Sequence, residues 1–348
     1  MREAIEIGGV SIKANERTSL ELEVPDLYTH TGITLPVHVV HGRQNGPVLF
    51  LSGAVHGDEI NGVEIIRRIL KSKAINRIKG TLIAVPVVNI YGFIHQTRYL
   101  PDRRDLNRCF PGSEKGSLGA RMANLFLTEI VSKCTHGIDL HTAAIHRDNL
   151  PQIRALCDDS ETDRMAHAFR LPVILDTKIV EGSLRESAET MGVSVIVYEA
   201  GEALRFDEAS IRGGVKGIFS VMREIGMLAE STKPRSKIEP LVAKSSLWVR
   251  ASQSGILRTM KPLGANLKKG ELLGIVADPF GENEEEIRAP ASGIIIGRTN
   301  MPLVNEGEAL FHIARFESDD EIVEQLEESL NELDPATDEL TPREPPIV

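Results

Sequence analysis

Two rhythms divide this chain. From residue 48 to about 229, apolar runs of strand length alternate with segments whose apolar side chains recur at helical spacing. The runs predict strands at 48–55, 81–88, 136–140, 172–175 and 193–198, and the spacing predicts helices near 59–72, 118–133, 160–169, 183–191 and 208–227. In the first of these helices Ile60, Val63, Ile66, Ile69 and Leu70 recur at that spacing, which puts Glu59 in its first turn. Such alternation predicts an α/β fold in which a mixed, mostly parallel sheet is flanked by helices. Ahead of it, residues 1 to about 46 read as strands and turns: Leu35, Val37 and Val39 alternate with Pro36 and His38, and His41-Gly42 and Asn45-Gly46 supply breaks.

After residue 230 the pattern becomes β. The polar stretch from Ser231 to Lys237 reads as the core of a linker over 231–244, with a β-domain over 245–316. That domain contains one short pattern twice: Ser254-Gly255-Ile256 leads to Lys269-Gly270-Glu271-Leu272-Leu273, and Ser292-Gly293-Ile294 leads to Glu306-Gly307-Glu308-Ala309-Leu310. A repeat at nearly equal spacing predicts a pseudo-symmetric unit. It resembles the flattened barrel-sandwich of biotinyl and lipoyl carrier domains. The hairpin between the halves, Asp278 to Glu286, holds no lysine, so covalent cofactor attachment is not expected. A module that packs on the catalytic domain or builds a homo-oligomer is expected instead. In the tail over 317–348, Ile322, Val323, Leu326, Leu330 and Leu333 fit one helical face, and four prolines from Pro335 onward end regular structure.

Charge changes this picture in one respect. The chain of 348 residues has a formal charge of −10, but twelve acidic residues and one arginine in the tail carry −11 of it, leaving +1 for the remainder. The acidity is local, no basic patch is present, and neither nucleic acid nor membrane is an expected partner. The three cysteines, Cys109, Cys134 and Cys157, include no C-x-x-C pair, and the amino terminus has no apolar core after a basic start. Both predict a cytoplasmic setting.

The chemistry concentrates at predicted strand ends. His56 and Glu59 lie three residues apart, where the apolar run 48–55 gives way to a helix, with Gly53 and Gly57 flanking the turn. His141 ends a second apolar stretch, Gly137-Ile138-Asp139-Leu140, and Glu199 follows a third, Val193 to Tyr198. In an open α/β sheet such ends converge on the ligand site. Two histidines and a glutamate make the hydrolytic zinc set, which leaves a fourth position for water and lowers that water's pKa to about 7. A carboxylate beside it, Glu199, can serve as general base. The stretch from Arg98 to Arg108 is rich in arginine, and guanidinium groups suit carboxylate capture or oxyanion stabilisation.

Four motifs, Gly53-Ala54-Val55-His56-Gly57-Asp58-Glu59, Asp105-Leu106-Asn107-Arg108, Asp139-Leu140-His141 and Glu199-Ala200-Gly201, resemble those of the succinylglutamate desuccinylase and aspartoacylase family, relatives of the zinc carboxypeptidases, over roughly residues 45–229. The resemblance implies a zinc carboxypeptidase-like catalytic domain within 1–230 and one zinc ion per chain on His56, Glu59 and His141. Glu199 would be the general base and Arg98 would polarise the scissile carbonyl. Asn107 and Arg108 would hold the substrate carboxylate, with Arg185 as the second arginine of that clamp. The implied reaction is amide hydrolysis of a small N-acyl amino acid. The β-domain resembles that of a bacterial subgroup whose substrates vary and include acetylated diamino acids. A zinc carboxypeptidase acting on peptides would use the same ligand set, although the separation of Glu59 and His141 is short for one. A scaffold with an inert hydrolase fold is the remaining alternative.

Overall fold

The computed structural model describes residues 2–26, 28–230 and 240–316. The tail, including the helix expected across Ile322 to Leu333, lies outside the described residues, as does the stretch 231–239.

A large mixed sheet with helices on both faces forms the body of the protein, and a smaller antiparallel sheet lies at its carboxyl end. Three parallel strands run side by side at the centre: Lys79–Val85, Gln44–Gly53 and His136–Ala143, with Ser194–Glu202 joining in parallel next to the last. The expected apolar runs are these strands. Leu49 and Leu51 enter one core with Ile138, Leu140, Ile196 and Tyr198, while Phe50 enters the other with Ile83, Val85 and Val195. Side chains alternate across a strand, so an apolar run without polar interruption is what a strand sandwiched between two helical layers requires. Helices Asn61–Lys71, Ser160–Phe169 and Glu208–Glu224 cover the first face, and Leu118–Glu129 and Leu184–Thr190 cover the second.

Several boundaries differ from the sequence reading. The first helix begins at Asn61, with Ile60 as its N-cap, so Glu59 belongs to the turn before the helix and not to its first turn. His141 and Glu199 stand inside strands that run on to Ala143 and Glu202. The linker expected over 231–244 is in part a strand: Leu241–Ala243 pairs in parallel with Val173–Asp176.

The largest addition is an unexpected strand, Arg147–Ala155, antiparallel to Ser194–Glu202. Its outer edge is shared. The part around Gln152 to Ala155 pairs with Val173–Asp176, and the part from Arg147 to Asn149 pairs with Gly293–Thr299 of the β-domain. The large sheet therefore continues through Gly293–Thr299 and Ala309–Arg315 to Ser245–Arg250. Within the β-domain the two-copy pattern is an interlocked pair of halves. The short strand Asn266–Leu267 of the first half pairs with Gly293–Thr299 of the second, and Leu303–Val304 of the second pairs with Gly255–Thr259 of the first. Neither half can close its sheet alone.

Among the described residues, no helix is long and apolar enough to cross a membrane.

Candidate active site

Strand parity selects the face on which the site forms. Ser52, Asp139 and His141, with Val197 and Glu199, occupy the alternate positions to Leu51, Ile138, Leu140, Ile196 and Tyr198, and so project from the face opposite that second set. His141 and Glu199 are direct register partners on adjacent parallel strands, as are Ser52 and Asp139. His56 and Glu59 arrive from the turn beyond Gly53, where Glu59 N–H donates to the His56 carbonyl at 3.1 Å. This turn is packed hard against a neighbour. A Cβ at Gly57 would stand 2.0 Å from the Gly92 carbonyl carbon, so only glycine lets the turn approach the helix Ile90–Ile94.

His56, Glu59 and His141 bring one donor atom each within 4.8 Å of one another, and all three residues are buried. Glu59 receives both imidazoles: His56 Nδ1 lies 2.7 Å from Oε1 and His141 Nδ1 lies 2.7 Å from Oε2. The two Nδ1 atoms are 3.2 Å apart. The outer nitrogens are held by carboxylates, His141 Nε2 by Asp139 at 2.6 Å and His56 Nε2 by Asp105 at 3.2 Å. Asp139 is fixed in turn by the Ser52 hydroxyl at 2.7 Å. An ionised carboxylate only accepts, so each Nε2 carries its proton, and in the neutral ring Nδ1 then presents a lone pair. Two lone pairs and a carboxylate directed at one point are the donor set of a metal site, and outer carboxylates on ligating histidines are its usual support. The residues fit zinc, whose ligands are imidazole nitrogen and carboxylate oxygen at about 2.0–2.2 Å.

Electrostatics agree with a site built for a cation. Burial alone would lower the His141 pKa, but Asp139 and Glu59 overcome it and hold the value well above that of free histidine. His56 is raised in the same way, against burial, by Glu59 and Asp105. Burial would raise Glu59, yet the two imidazoles hold its carboxyl well below the usual carboxylate range.

The eight residues singled out in the sequence, His56, Glu59, Arg98, Asn107, Arg108, His141, Arg185 and Glu199, all line one cavity of about 240 Å³. Glu199 accepts from Asn149 Nδ2 at 2.9 Å and faces Arg154 Nε at 3.5 Å. Arg98 is drawn onto Asp105, at 2.8 Å, and onto Glu59 Oε1, at 3.2 Å. Asn107 Oδ1 accepts from Leu184 N–H at 2.9 Å, which leaves its amide nitrogen for a ligand. Arg185 donates through Nη2 to the carbonyls of Thr177 and Lys178, while its buried Nη1 has no partner. Burial first, and then Arg154, lower the Arg185 pKa, which marks a guanidinium short of anionic company.

Further residues of the site escaped the sequence reading as functional groups. Asp105 and Asp139 lie inside quoted motifs, and the two-residue spacing of Asp139 and His141 on a strand was the available signal. Asn149 and Arg154 sit on the unexpected strand. Trp248 comes from the β-domain and lines the same cavity.

Comparison with known proteins agrees with this fold. The profile of the succinylglutamate desuccinylase/aspartoacylase catalytic domain matches residues 45–225. An N-alpha-acetyl-L-2,4-diaminobutyric acid deacetylase of Halomonas elongata is 26% identical over 308 residues, covering 84% of this chain and 87% of its own. The crystal structure of a succinylglutamate desuccinylase/aspartoacylase from Rhodobacter sphaeroides superposes with a TM-score of 0.77 at 22% identity, covering 90% of this chain and 97% of that one. The product-bound ectoine utilization protein EutE (DoeB) from Ruegeria pomeroyi gives a TM-score of 0.77 at 24% identity, with 90% and 95% covered.

Proposed function

Because the chain belongs to the succinylglutamate desuccinylase/aspartoacylase family, we propose that it is a zinc-dependent deacylase that hydrolyses the amide bond of a small N-acyl amino acid. The observation that carries this reading is the convergence of His56, Glu59 and His141 in one buried cluster at the floor of a cavity that Glu199 also lines.

When bound by these three residues, zinc supplies Lewis acidity toward the acyl carbonyl and makes water acidic enough to act as nucleophile near neutral pH. The rest falls to the protein. Glu199, its carboxylate oriented by Asn149 and Arg154, takes the proton of the attacking water and returns it to the departing nitrogen. Arg98 stands beside Glu59 with its guanidinium turned to the cavity, where it stabilises charge developing on the carbonyl oxygen. Asn107 Nδ2 and Arg108 bind the α-carboxylate, assisted by the free Nη1 of Arg185, and so orient the amide over the base. The name of the Halomonas relative makes acetyl the first acyl group to test on this chain.

The reading is tested by Glu199→Gln, which keeps the shape of the side chain and removes its basicity. Zinc content should stay at one per chain while kcat falls by about a hundredfold to ten-thousandfold, the range of a lost general base. Unchanged turnover in that variant would remove Glu199 from the reaction.

A further inference from the structure

A second cavity, of about 420 Å³, lies beside the first and shares residues with it: Arg154, Val180 and Arg185 line both. Its other side is built from the end of strand Val173–Asp176, from Thr177 and Lys178 just beyond, and from Ser245 and Ser246 of the β-domain. Catalytic domain and β-domain therefore meet at this side cavity.

Its charges are unbalanced. Asp176 is the one carboxylate among the lining residues, and it is engaged on both oxygens: Oδ1 accepts from Cys157 N–H at 3.1 Å, and Oδ2 takes Lys244 Nζ at 3.2 Å. Three cations line the same space. Arg154 faces Glu199, but Arg185 donates only to uncharged oxygens of Thr177 and Lys178, and its buried Nη1 has no partner. Lys178 makes no ion pair among the described residues. An ammonium and a guanidinium nitrogen are left without anions.

The described chain ends beside this cavity. Strand Ala309–Arg315 runs antiparallel to Ser245–Arg250, which sets its last residue opposite Ser245, and Arg315 Nε donates to Ser245 Oγ at 3.0 Å. Phe316 then packs on an apolar cluster that contains Leu175, another lining residue. In sequence the next five positions hold four acids, Glu317, Asp319, Asp320 and Glu321, at the head of a tail whose net charge is −11. Five residues reach at most about 18 Å when fully extended, so the tether keeps these carboxylates near the cavity. A short tether of this kind supplies an effective concentration on the order of millimolar.

We propose that the side cavity is the docking site of this chain's own acidic segment 317–321, whose carboxylates pair with Lys178 and with Arg185 Nη1. Because Arg185 also lines the catalytic cavity, a docked carboxylate competes with the substrate for that nitrogen. The segment is then an intramolecular competitor, and by linkage a bound substrate weakens docking by the factor by which docking weakens the substrate. The competition rests on the deacylase reading; the docking does not.

A water-soluble carbodiimide, which joins an amine to a carboxylate in direct contact, is applied to the zinc-loaded full-length protein, and the links are mapped by mass spectrometry. The Lys244–Asp176 pair, at 3.2 Å, serves as the internal standard. A link from Lys178 to one of the four acids is expected, in chains that keep the mass of a single copy on a denaturing gel, and saturating N-acetyl amino acid should reduce its yield. The standard without the Lys178 link overturns the docking, and so does a Lys178 link found only in covalent dimers, which would seat a second copy's tail there. Hydrolysis is followed in parallel. A variant with Glu317→Gln, Asp319→Asn, Asp320→Asn and Glu321→Gln should lower KM about fivefold, the size of one exposed ion pair, with kcat and zinc content unchanged. Lys178→Ala should give part of that fall. A KM unchanged in both variants overturns the competition. Absence of hydrolysis in every protein would count against the deacylase reading, and the Lys178 link would still decide the docking.

Discussion

The two ends of the cavity are built on opposite electrostatic plans. At the floor, each charged group has a partner: Glu59 joins both imidazoles, Asp139 and Asp105 hold their outer nitrogens, and Arg98 closes the ring of contacts. At the end facing the β-domain, Arg147 lies on a ring and Arg185 holds a buried Nη1 that has no partner. A closed network resists rearrangement because removing one member strands another in a buried setting. An open one leaves its donors for an incoming molecule. On the deacylase reading, the closed network is the part that holds the metal and the open end is the part that receives substrate.

The comparison breaks first at Asp139. Asp139→Asn keeps the side-chain shape but presents an amide where His141 Nε2 needs an acceptor, so the imidazole loses its fixed tautomer. Zinc affinity should fall about 10- to 100-fold, the usual cost of losing such an outer carboxylate. Competition against a chelator of known affinity measures it, and an affinity unchanged within error would mean that the floor does not act as a closed unit.

A smaller effect is expected at His312, whose ring stacks on Trp248. Burial, and then Arg154, push the His312 pKa down to about 3. A histidine whose pKa is lowered on folding contributes stability that is present above its unfolded value of about 6.5 and is lost as pH falls toward 3. Between pH 6.5 and 5 the loss is about 2 kcal/mol, at about 1.4 kcal/mol per pH unit. Melting temperature should therefore drop over that interval, and His312→Gln should flatten the drop. A pH profile identical in the two proteins would show that His312 is not held neutral behind Trp248.

The smallest effect tests whether the β-domain reaches the base. A Cβ at Gly297 would lie 2.9 Å from Asn149 Oδ1 and 3.2 Å from His312 Cβ, so alanine there displaces the amide that orients Glu199. Gly297→Ala should lower kcat several-fold, about 1 kcal/mol of transition-state stabilisation, with zinc affinity unaltered. A kcat equal to that of the unaltered protein would show that the β-domain does not act on the base through Gly297.

How far the site can be read from sequence follows the same division. His56, Glu59, His141 and Glu199 are legible because their side chains carry their chemistry wherever they stand, and the apolar runs before them mark strands covered on both faces. The strand Arg147–Ala155 is hidden by its own function. Asp148, Asn149, Pro151, Gln152 and Arg154 interrupt any apolar or alternating pattern, and Asn149 and Arg154 are the residues that turn toward Glu199. With that strand unseen, the β-domain reads only as a module that packs on the catalytic domain or builds an oligomer, and nothing in the sequence marks Trp248. Its place in the cavity depends on a register that passes through three other strands, which no local pattern encodes. The start of the first helix is a finer miss. The apolar spacing extends back to Ile60, but Glu59 N–H bonds the His56 carbonyl in a turn that delivers both ligands before the helix begins.

The central claim, that three buried donors hold one zinc ion on which amide hydrolysis depends, is tested most directly by titrating zinc into the metal-free protein while following hydrolysis of an N-acyl amino acid. Activity should be absent without metal, rise linearly, and break at one zinc per chain. Full activity in the metal-free protein, or a rise that shows no break at that ratio, would contradict it.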